Sequence, residues 1–438
     1  MVRVAQGIAR ELVDAGFQAY FAGGCVRDAL LGRPLKDIDI ATSATPDQVE
    51  QLFAGHTVAV GKAFGVILVQ RGGFSFDVAT FRTDGAYTDG RHPEQVRFST
   101  PEHDAQRRDF TVNGLFRDPE SGEVIDFVGG LADLDARVIR AIGDPVARFR
   151  EDRLRMLRAV RFSSVLEFRL DDGTREAITR HAEWIKRVSV ERIATELVRT
   201  LCESPRPSVA LNLLLETGLL AQVLPKVVAL RGVEQPPQYH PEGDVWTHTC
   251  LMLDDIPAPR DPDLTLGVLF HDIGKPAAFR VEPDSKTGQP RIRFSCHAAI
   301  GAQITKSILT KLKFPTERIE TVVELVREHM HVVEVRNMRH STLRRFLGGP
   351  NFRKILELMC LDIRHSNGDF STWNFLKAQY DAFTDEPVLP APKIRGRDLR
   401  ALGIPPGPRI GKLLRKLYDA QLEGRLDEAM ARLGLNKN

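Results

Sequence analysis

Residues 23–46 read GGCVRDALLGRPLKDIDIATSATP, and this stretch decides the fold. It opens on Gly23-Gly24, directly after a short apolar run, Gln18–Ala22, that reads as a buried strand. A strand that turns on glycines into a helix offers backbone N–H groups and a helix N-terminus to a phosphate. Arg27 adds a cation able to make charge-assisted hydrogen bonds to that anion. Asp37–Thr42 reads as a second buried strand. Alternate strand residues share a face, so Asp37 and Asp39 point together. Two adjacent carboxylates repel unless a cation lies between them. An acid pair beside a phosphate cradle suits in-line nucleotidyl transfer, where Mg²⁺ lowers the pKa of the attacking hydroxyl and steadies the leaving pyrophosphate. A third carboxylate would complete the cage, and Asp77, between Phe76 and Val78, is the candidate.

Working outward, Thr45–Phe53 reads as a helix with Thr45 as N-cap and Pro46 in its first turn. Val66–Gln70 and Phe74–Phe81 read as a hairpin around Arg71-Gly72-Gly73. Thr83–Gln106, with Gly85, Tyr87, Gly90, Arg91 and Pro93, reads as a long loop, and long loops in compact domains are often functional. Strand signals fade after Gly143. Asp144 to Leu230 is helical, as in RLRMLRAVRF and SVERIATELVRTL. A proline-bearing loop, Val233–Asp244, precedes a second helical block that is broken by a polar loop, Glu282–Gln289. A proline cluster (Pro387, Pro390, Pro392) leads into a basic amphipathic tail.

Length and composition bound the rest. The 438 residues exceed what one core supports, so two to four domains are expected. Hydrophobic residues are 42% and charged residues 27%, as in an ordinary globular chain. A net charge of +3 means that nucleic-acid contact needs local basic patches. No apolar run approaches the ~20 residues of a membrane span. Arg3, Arg10, Glu11 and Asp14 deny the N-terminus the apolar centre of a signal peptide. Five scattered cysteines with no CxxC pair imply neither a disulfide framework nor a thiolate zinc site, and a reducing cytoplasm fits. The sequence sets no oligomeric state.

With these features in view, residues 23–46 resemble the signature of the polymerase-β-like nucleotidyltransferases that add CCA to tRNA, of the class shared by bacteria and eukaryotes; bacterial poly(A) polymerases have the same head. Further motifs match: Arg107-Arg108-Asp109-Phe110-Thr111-Val112-Asn113, Asp126-Phe127-Val128-Gly129-Gly130 with Asp133-Leu134, Arg148–Arg155 with its EDxxR element, and Glu191–Glu196. The fold implied is α+β. A polymerase-β-like nucleotidyltransferase head, a small mixed sheet with helices, is followed by all-α neck, body/HD and tail domains. The expected domains are residues 1–141, 142–232, 233–385 and 386–438. The activity implied is CCA addition to the tRNA 3′ end from CTP and ATP, with Mg²⁺ on Asp37 and Asp39. Gly23, Gly24 and Arg27 would hold the triphosphate, and Arg108, Asp109 and Asn113 belong to the ribose-selecting motif. The loop at 83–106 is tied in this family to addition of the final A. It has full length here, which argues against a CC-only enzyme.

Base choice follows from chemistry. Asp152 and Arg155 lie three apart in a helical reading and so share a face. An ionised Asp only accepts hydrogen bonds and Arg only donates. Cytosine and adenine both present an amino donor beside a ring acceptor, whereas uracil and guanine reverse the order. The resemblance implies this selecting role; taken alone, the pair is an i,i+3 salt bridge. Arg158 and Arg161 continue the basic face, either against triphosphate or RNA or as a solvated stripe.

His271-Asp272, in LGVLFHDIGKP, resembles the HD metal-dependent phosphohydrolase superfamily. His248, His297, His329 and Asp362 are in order to join it around a second divalent transition metal. Three alternatives stay open for this block: an active phosphohydrolase, a metal site without turnover, and a scaffold that holds RNA. For the whole chain the rivals are an A-adding enzyme, a poly(A) polymerase, a hydrolase with an RNA-binding head, and a noncatalytic RNA-binding protein. The basic tail either contacts tRNA backbone or is a solvated helix.

Overall fold

The computed structural model describes residues 1–85, 96–285, 288–330, 335–383 and 387–435. The chain divides into two units, Met1–Val228 and Ala229–Asn438.

The first unit begins with α1 (Val2–Asp14), which buries Ala5, Ile8, Ala9 and Leu12, one helical stripe. There follow β1 (Ala19–Ala22), α2 (Gly24–Leu30), β2 (Asp39–Thr42), α3 (Pro46–Leu52), β3 (Thr57–Gly61), β4 (Val66–Arg71) and β5 (Phe74–Thr80). Next come β6 (Arg82–Asp84), β7 (Val96–Phe98), α4 (Pro101–Gln106), β8 (Phe116–Arg117) and β9 (Val124–Ile125). Thr45 and Gln48 form a reciprocal capping box at the start of α3, behind Pro46. The β4–β5 hairpin turns at Gly72 and Gly73, both in the left-handed region that glycine adopts at no steric cost.

Seven strands form one mixed sheet in the order β3-β4-β5-β2-β1-β8-β9. The central strand β2 runs antiparallel to β1, with Ala22 opposite Asp39, and parallel to β5, with Ile40 opposite Val78. These registers bring the start of β2 beside the β1–α2 turn on one side and the Asp77 level of β5 on the other. Ile8, Leu12, Ile40, Ile67, Val69 and Phe76 form the core beneath.

The strand expected over residues 37–42 starts at Asp39, so Asp37 lies in the chain leading into it. The segment expected as a loop, 83–106, is more ordered at its ends. β6 and β7 pair antiparallel, and Thr100 caps α4. Tyr87, Gly90, Arg91 and Pro93 lie outside the described residues.

The unit continues through α5 (Gly130–Asp135), β10 (Val138–Ile139), α6 (Pro145–Glu151), α7 (Arg155–Leu166) and β11 (Arg169–Leu170). It closes with α8 (Asp172–His181), α9 (Val190–Glu203), α10 (Pro207–Glu216), α11 (Leu219–Val223) and α12 (Pro225–Val228). Helix α7 is buried on nearly every face.

The second unit carries α13 (Val245–Asp254), α14 (Pro262–Phe270), α15 (Lys275–Ala278), β12 (Arg280–Pro283), β13 (Pro290–Arg293), α16 (His297–Lys311) and α17 (Thr316–Glu328). It ends with α18 (His340–Leu347), α19 (Phe352–Arg364), α20 (Ser371–Asp381), α21 (Gly396–Ala401), α22 (Pro408–Leu422) and α23 (Leu426–Arg432). This block is not purely helical: β12 and β13 pair antiparallel through backbone bonds that side-chain periodicity does not report, and Glu282, expected in a loop, lies in β12; residues 286–287 lie outside the described residues. The basic tail folds on its own apolar cluster of Leu399, Leu417 and Leu435. Among the described residues, no helix is long and apolar enough to cross a membrane.

Candidate active site

In the first unit a cleft of about 620 Å³ is lined by Gly23, Gly24, Arg27, Asp37, Asp39, Arg108, Asp109, Asn113, Asp152, Arg155, Arg158 and Arg161, among others. These are all but one of the head and neck positions singled out in the sequence. Asp77, exposed on the neighbouring strand β5, is not among the lining residues but is linked by charge to Asp37 and Asp39. Ten basic and six acidic side chains line the cavity, which therefore favours anions.

Gly23 caps α2 at φ +76°, a conformation L side chains rarely adopt. A Cβ at Gly23 would also stand 2.7 Å from Arg108 Nη1, so the turn needs glycine for closeness as well as for backbone freedom. Arg27, buried on α2, is held by Asp28 at 2.8 Å, donates to Asn113 Oδ1 at 2.5 Å, and lies 5.1 Å from the centre of the Phe162 ring.

Asp37 and Asp39 stand exposed at the cleft. The surrounding cleft walls withdraw the Asp39 carboxyl from bulk water. With the charges of Asp37 and Asp77, this pushes it up to about 6, against the pull of Arg108. Desolvation and then Asp37 raise Asp77 as well. The Asp37 charge thus acts on both Asp39 and Asp77, and three carboxylates gathered in this way are a donor set that suits a divalent oxygen-seeking cation.

Asp109 is buried and saturated. Its Oδ1 accepts from the Phe110 backbone N–H at 2.9 Å and from Asn113 Nδ2 at 3.1 Å. Its Oδ2 accepts from Arg158 Nε at 2.9 Å and Nη2 at 2.6 Å. Burial raises this carboxyl, but the Arg158 charge, the Asn113 bond and Arg155 outweigh it and hold the group at about 2. Arg161 is buried too, with Nε 2.5 Å from Glu196 Oε1, so it is no solvated stripe.

The structure departs from the sequence reading at Asp152 and Arg155. Helix α6 ends at Glu151, Asp152 is extended at φ −135° and ψ 105°, and α7 begins at Arg155. The two do not share a helical face. Asp152 Oδ2 accepts from Arg192 Nη2 at 2.8 Å, while Arg155 bonds Glu151 at 2.8 Å and the Arg107 carbonyl at 2.9 Å. Both still line the cleft. The break arises because the Asp152 side chain accepts from Leu154 N at 3.1 Å, a local bond that competes with helix continuation. Asp104 escaped the sequence reading. Its signal was the i,i+3 and i,i+4 spacing to Arg107 and Arg108.

The second unit gathers His248, His271, Asp272, His297, His329 and Asp362. His248 Nε2 lies 3.2 Å from Asp362, His271 Nε2 lies 3.1 Å from Asp272, and His297 Nε2 lies 3.2 Å from His329 Nε2. Each imidazole has its Nδ1 engaged elsewhere. His248 Nδ1 meets Glu242 at 2.7 Å, and those of His271, His297 and His329 meet the carbonyls of Val268, Phe294 and Val326 at 2.7, 2.8 and 2.7 Å. That arrangement fixes the rings with Nε2 turned inward, as metal-ligating histidines require. Nε2 of His248 and of His271 make no hydrogen bond among the described residues. His248–His271–Asp272 and Asp272–His297–His329 are each close enough to share an ion. Burial lowers His248, but Asp362 and Glu242 overcome it and raise the ring to about 9; burial and His271 push His329 down to about 3. Glu242, which also bonds His240 at 2.9 Å, and Lys275, 2.6 Å from Asp272, were not picked out by sequence.

The first unit thus joins a mixed sheet, a glycine turn and an acid group at one cleft. Residues 19–140 match the poly A polymerase head domain, residues 167–230 the probable RNA and SrmB-binding site of polymerase A, and residues 244–358 the HD domain. The chain is similar to poly A polymerases in its head and to CCA-adding enzymes over about half its length. It is 49% identical over 216 residues to the CCA-adding enzyme of Geobacillus thermodenitrificans, a span covering 49% of this chain and 53% of that one. Against the CCA-adding enzyme of Geobacillus kaustophilus it is 43% identical over 256 residues, covering 57% and 63%. The chain thus spans about half the length of the curated relatives it matches. The crystal structure of the Bacillus stearothermophilus CCA-adding enzyme in complex with CTP is similar at TM-score 0.73 and 28% identity, covering 98% of this chain and 96% of that one. The Thermotoga maritima CCA-adding enzyme complexed with tRNA_CCA shares the fold at TM-score 0.60 and 21% identity, covering 98% and 95%.

Proposed function

We propose that the chain is a tRNA nucleotidyltransferase that adds CCA to the 3′ end of tRNA from CTP and ATP without a nucleic-acid template, in the cytoplasm. The observation that carries this reading is the meeting of the glycine turn, the Asp37–Asp39 pair and the Asp152–Arg155 wall in one anion-favouring cleft. The solved relatives bound to CTP and to tRNA_CCA support it. Mg²⁺ on Asp37 and Asp39, with Asp77 on the neighbouring strand, would supply activation of the attacking 3′-hydroxyl and stabilisation of the leaving pyrophosphate. Gly23, Gly24 and Arg27 hold the triphosphate, and Arg158 and Arg161 add positive charge to the wall. Arg108 and Asp109 face the ribose. Because all four acceptor positions of Asp109 are filled, a 2′-hydroxyl has to share or displace the Arg158 bond. Asp152 accepts from, and Arg155 donates to, the edge common to cytosine and adenine. A mismatched base leaves a buried polar group unpaired, at a cost of ~1–3 kcal/mol.

The test is incorporation of labelled CTP and ATP into tRNAs ending at the discriminator base, at C and at CC. CCA addition gives products from all three. Products from the CC end alone mean an A-adding enzyme, long A tracts a poly(A) polymerase, and none a noncatalytic RNA-binding protein.

The inward-turned Nε2 atoms favour a second reading for the HD cluster: it holds one or two divalent transition ions. Metal analysis of the purified chain and of Asp272→Ala tests it; equal metal content in both defeats it. If Asp272→Ala abolishes the main activity while Asp39→Ala spares it, the hydrolase reading of the whole chain replaces the transferase one.

A further inference from the structure

We propose that Asp104 is a positioning residue for nucleotide binding, the carboxylate that fixes Arg108 against the Gly23-Gly24 turn; this rests on the nucleotidyl-transfer reading of the cleft. Asp104 lies on α4 with 1% of its surface exposed, and its two oxygens divide the work. Oδ2 accepts from Arg108 Nε at 3.2 Å and Nη2 at 3.0 Å. Oδ1 accepts from Arg107 Nε at 2.9 Å and Nη2 at 2.7 Å, and from the Arg82 backbone N–H at 3.3 Å. Arg107 and Arg108 line the cleft, and Asp104 holds them from behind.

Geometry makes this more than a surface ion pair. A guanidinium is a rigid fork, and a carboxylate that takes its Nε–Nη2 edge dictates where the remaining Nη1 edge points. Here Nη1 faces the turn, at 2.7 Å from the position of a Cβ on Gly23 and 3.5 Å from the Asn113 carbonyl. The Phe116 ring lies 5.1 Å from the guanidinium carbon and closes another side. Arg108 is thereby held on three sides before any ligand arrives. A side chain fixed in its bound position loses no further rotamer freedom on binding. The same acid lets two adjacent arginines stay charged and side by side. Burial raises its carboxyl, but Arg108 and Arg107 bring it below the ordinary range, so it stays ionised at neutral pH.

The rival is a purely structural acid that pins α4 to β6. The full-length chain, an RNA lacking its 3′ CCA, and CTP or ATP with Mg²⁺ separate the two. Asp104→Asn keeps the volume and removes the charge. It is expected to raise KM for CTP and ATP at least tenfold, with kcat within threefold and KM for RNA unchanged. Added to the Arg107→Ala/Arg108→Ala variant, it is expected to change nothing further, because Asp104 acts through the two arginines that it holds. Effects that multiply in the triple variant, or equal losses in kcat and in KM for RNA, overturn the proposal. If Asp104→Asn does not fold, Arg108→Lys, which keeps the charge but lacks the fork, must reproduce the KM rise; wild-type KM values there also overturn it. CTP affinity by calorimetry without RNA keeps the two claims apart. A wild-type chain that binds CTP but incorporates nothing defeats the transferase reading, while Asp104 is still judged on CTP affinity.

Discussion

Replacing Asp109 with Asn tests the central electrostatic claim of the cleft. The amide keeps the volume, but it cannot stay anionic opposite Arg158, and its NH₂ meets donors where the carboxylate accepted. The magnitude follows from the carboxyl itself, held at about 2 against an ordinary 3.8. At ~1.36 kcal/mol per tenfold change in proton affinity, that is about 2.5 kcal/mol of native-state stabilisation. Breaking a fully buried pair costs ~3–5 kcal/mol. The Arg158 side chain is 33% exposed, so the orphaned guanidinium can still hydrate and the lower figure applies. For a unit of this size ~1 kcal/mol moves Tm by roughly 2–4 °C, so Asp109→Asn is expected to lower the first unit's transition by about 5–10 °C at pH 7. The sign with pH is fixed: the folded carboxyl lies below the unfolded one. Its stabilisation is therefore complete above about pH 4 and lost as pH falls toward 2. Urea midpoints for wild type and variant should converge across that window. A variant that melts within 1 °C of wild type at pH 7, or a gap that persists at the acid end, refutes the reasoning.

Asp39 gives the opposite pH behaviour, because its folded carboxyl is raised to about 6. Its favourable contribution is fully present only below about pH 4 and is lost as pH rises through 6, so Asp39→Asn is expected to raise Tm in chelator most at pH 8, about half as much at pH 5 and hardly at all below pH 4, read by differential scanning fluorimetry. Mg²⁺ should raise the wild-type Tm at pH 8 and leave the variant's unchanged; equal Mg²⁺ responses would remove this acid from the metal site. Arg192→Ala frees Asp152 from its 2.8 Å partner. A charge-assisted bond of ~1.5–3 kcal/mol is lost, and discrimination of CTP over UTP in single-turnover incorporation should fall about tenfold. An unchanged ratio would mean that Arg192 does not hold the base-reading wall.

The parts of the head that were legible in sequence are those written in local chemistry. The Thr45 cap, Pro46 and the Gly72-Gly73 turn are local features of that kind, and the chain folds there as its periodicity indicates. Asp37, Asp39 and the Gly23 turn were legible as a group because the strand register, Ala22 opposite Asp39, is itself a short-range consequence of the β1–α2–β2 segment. Spacing failed where a local side-chain bond and non-local partners compete with the helix. Asp152 and Arg155 are three apart, yet the Asp152 side chain accepts from Leu154 N and interrupts the helix, and Arg192 from α9 and the Arg107 carbonyl claim the two side chains. The β12–β13 pair failed for another reason: its residues are mostly exposed, so no apolar alternation announces the strands.

Ion pairing sorts the acids of the cleft into two kinds, which charge counting could not. Asp109 is paired with Arg158, Asp152 with Arg192, and Glu151 and Glu196 with Arg155 and Arg161. Among the described residues Asp37, Asp39 and Asp77 enter no such pair, although arginines crowd the same cavity. Carboxylates left uncompensated within reach of that much guanidinium are costly unless another cation completes them. The paired acids fix the arginines that meet the anionic ligand, and the unpaired ones keep a place for a metal. Moving a guanidinium onto Asp39 would satisfy its charge and remove that place, so the separation between the two sets is the physical condition for this cleft to hold both a cation and a triphosphate.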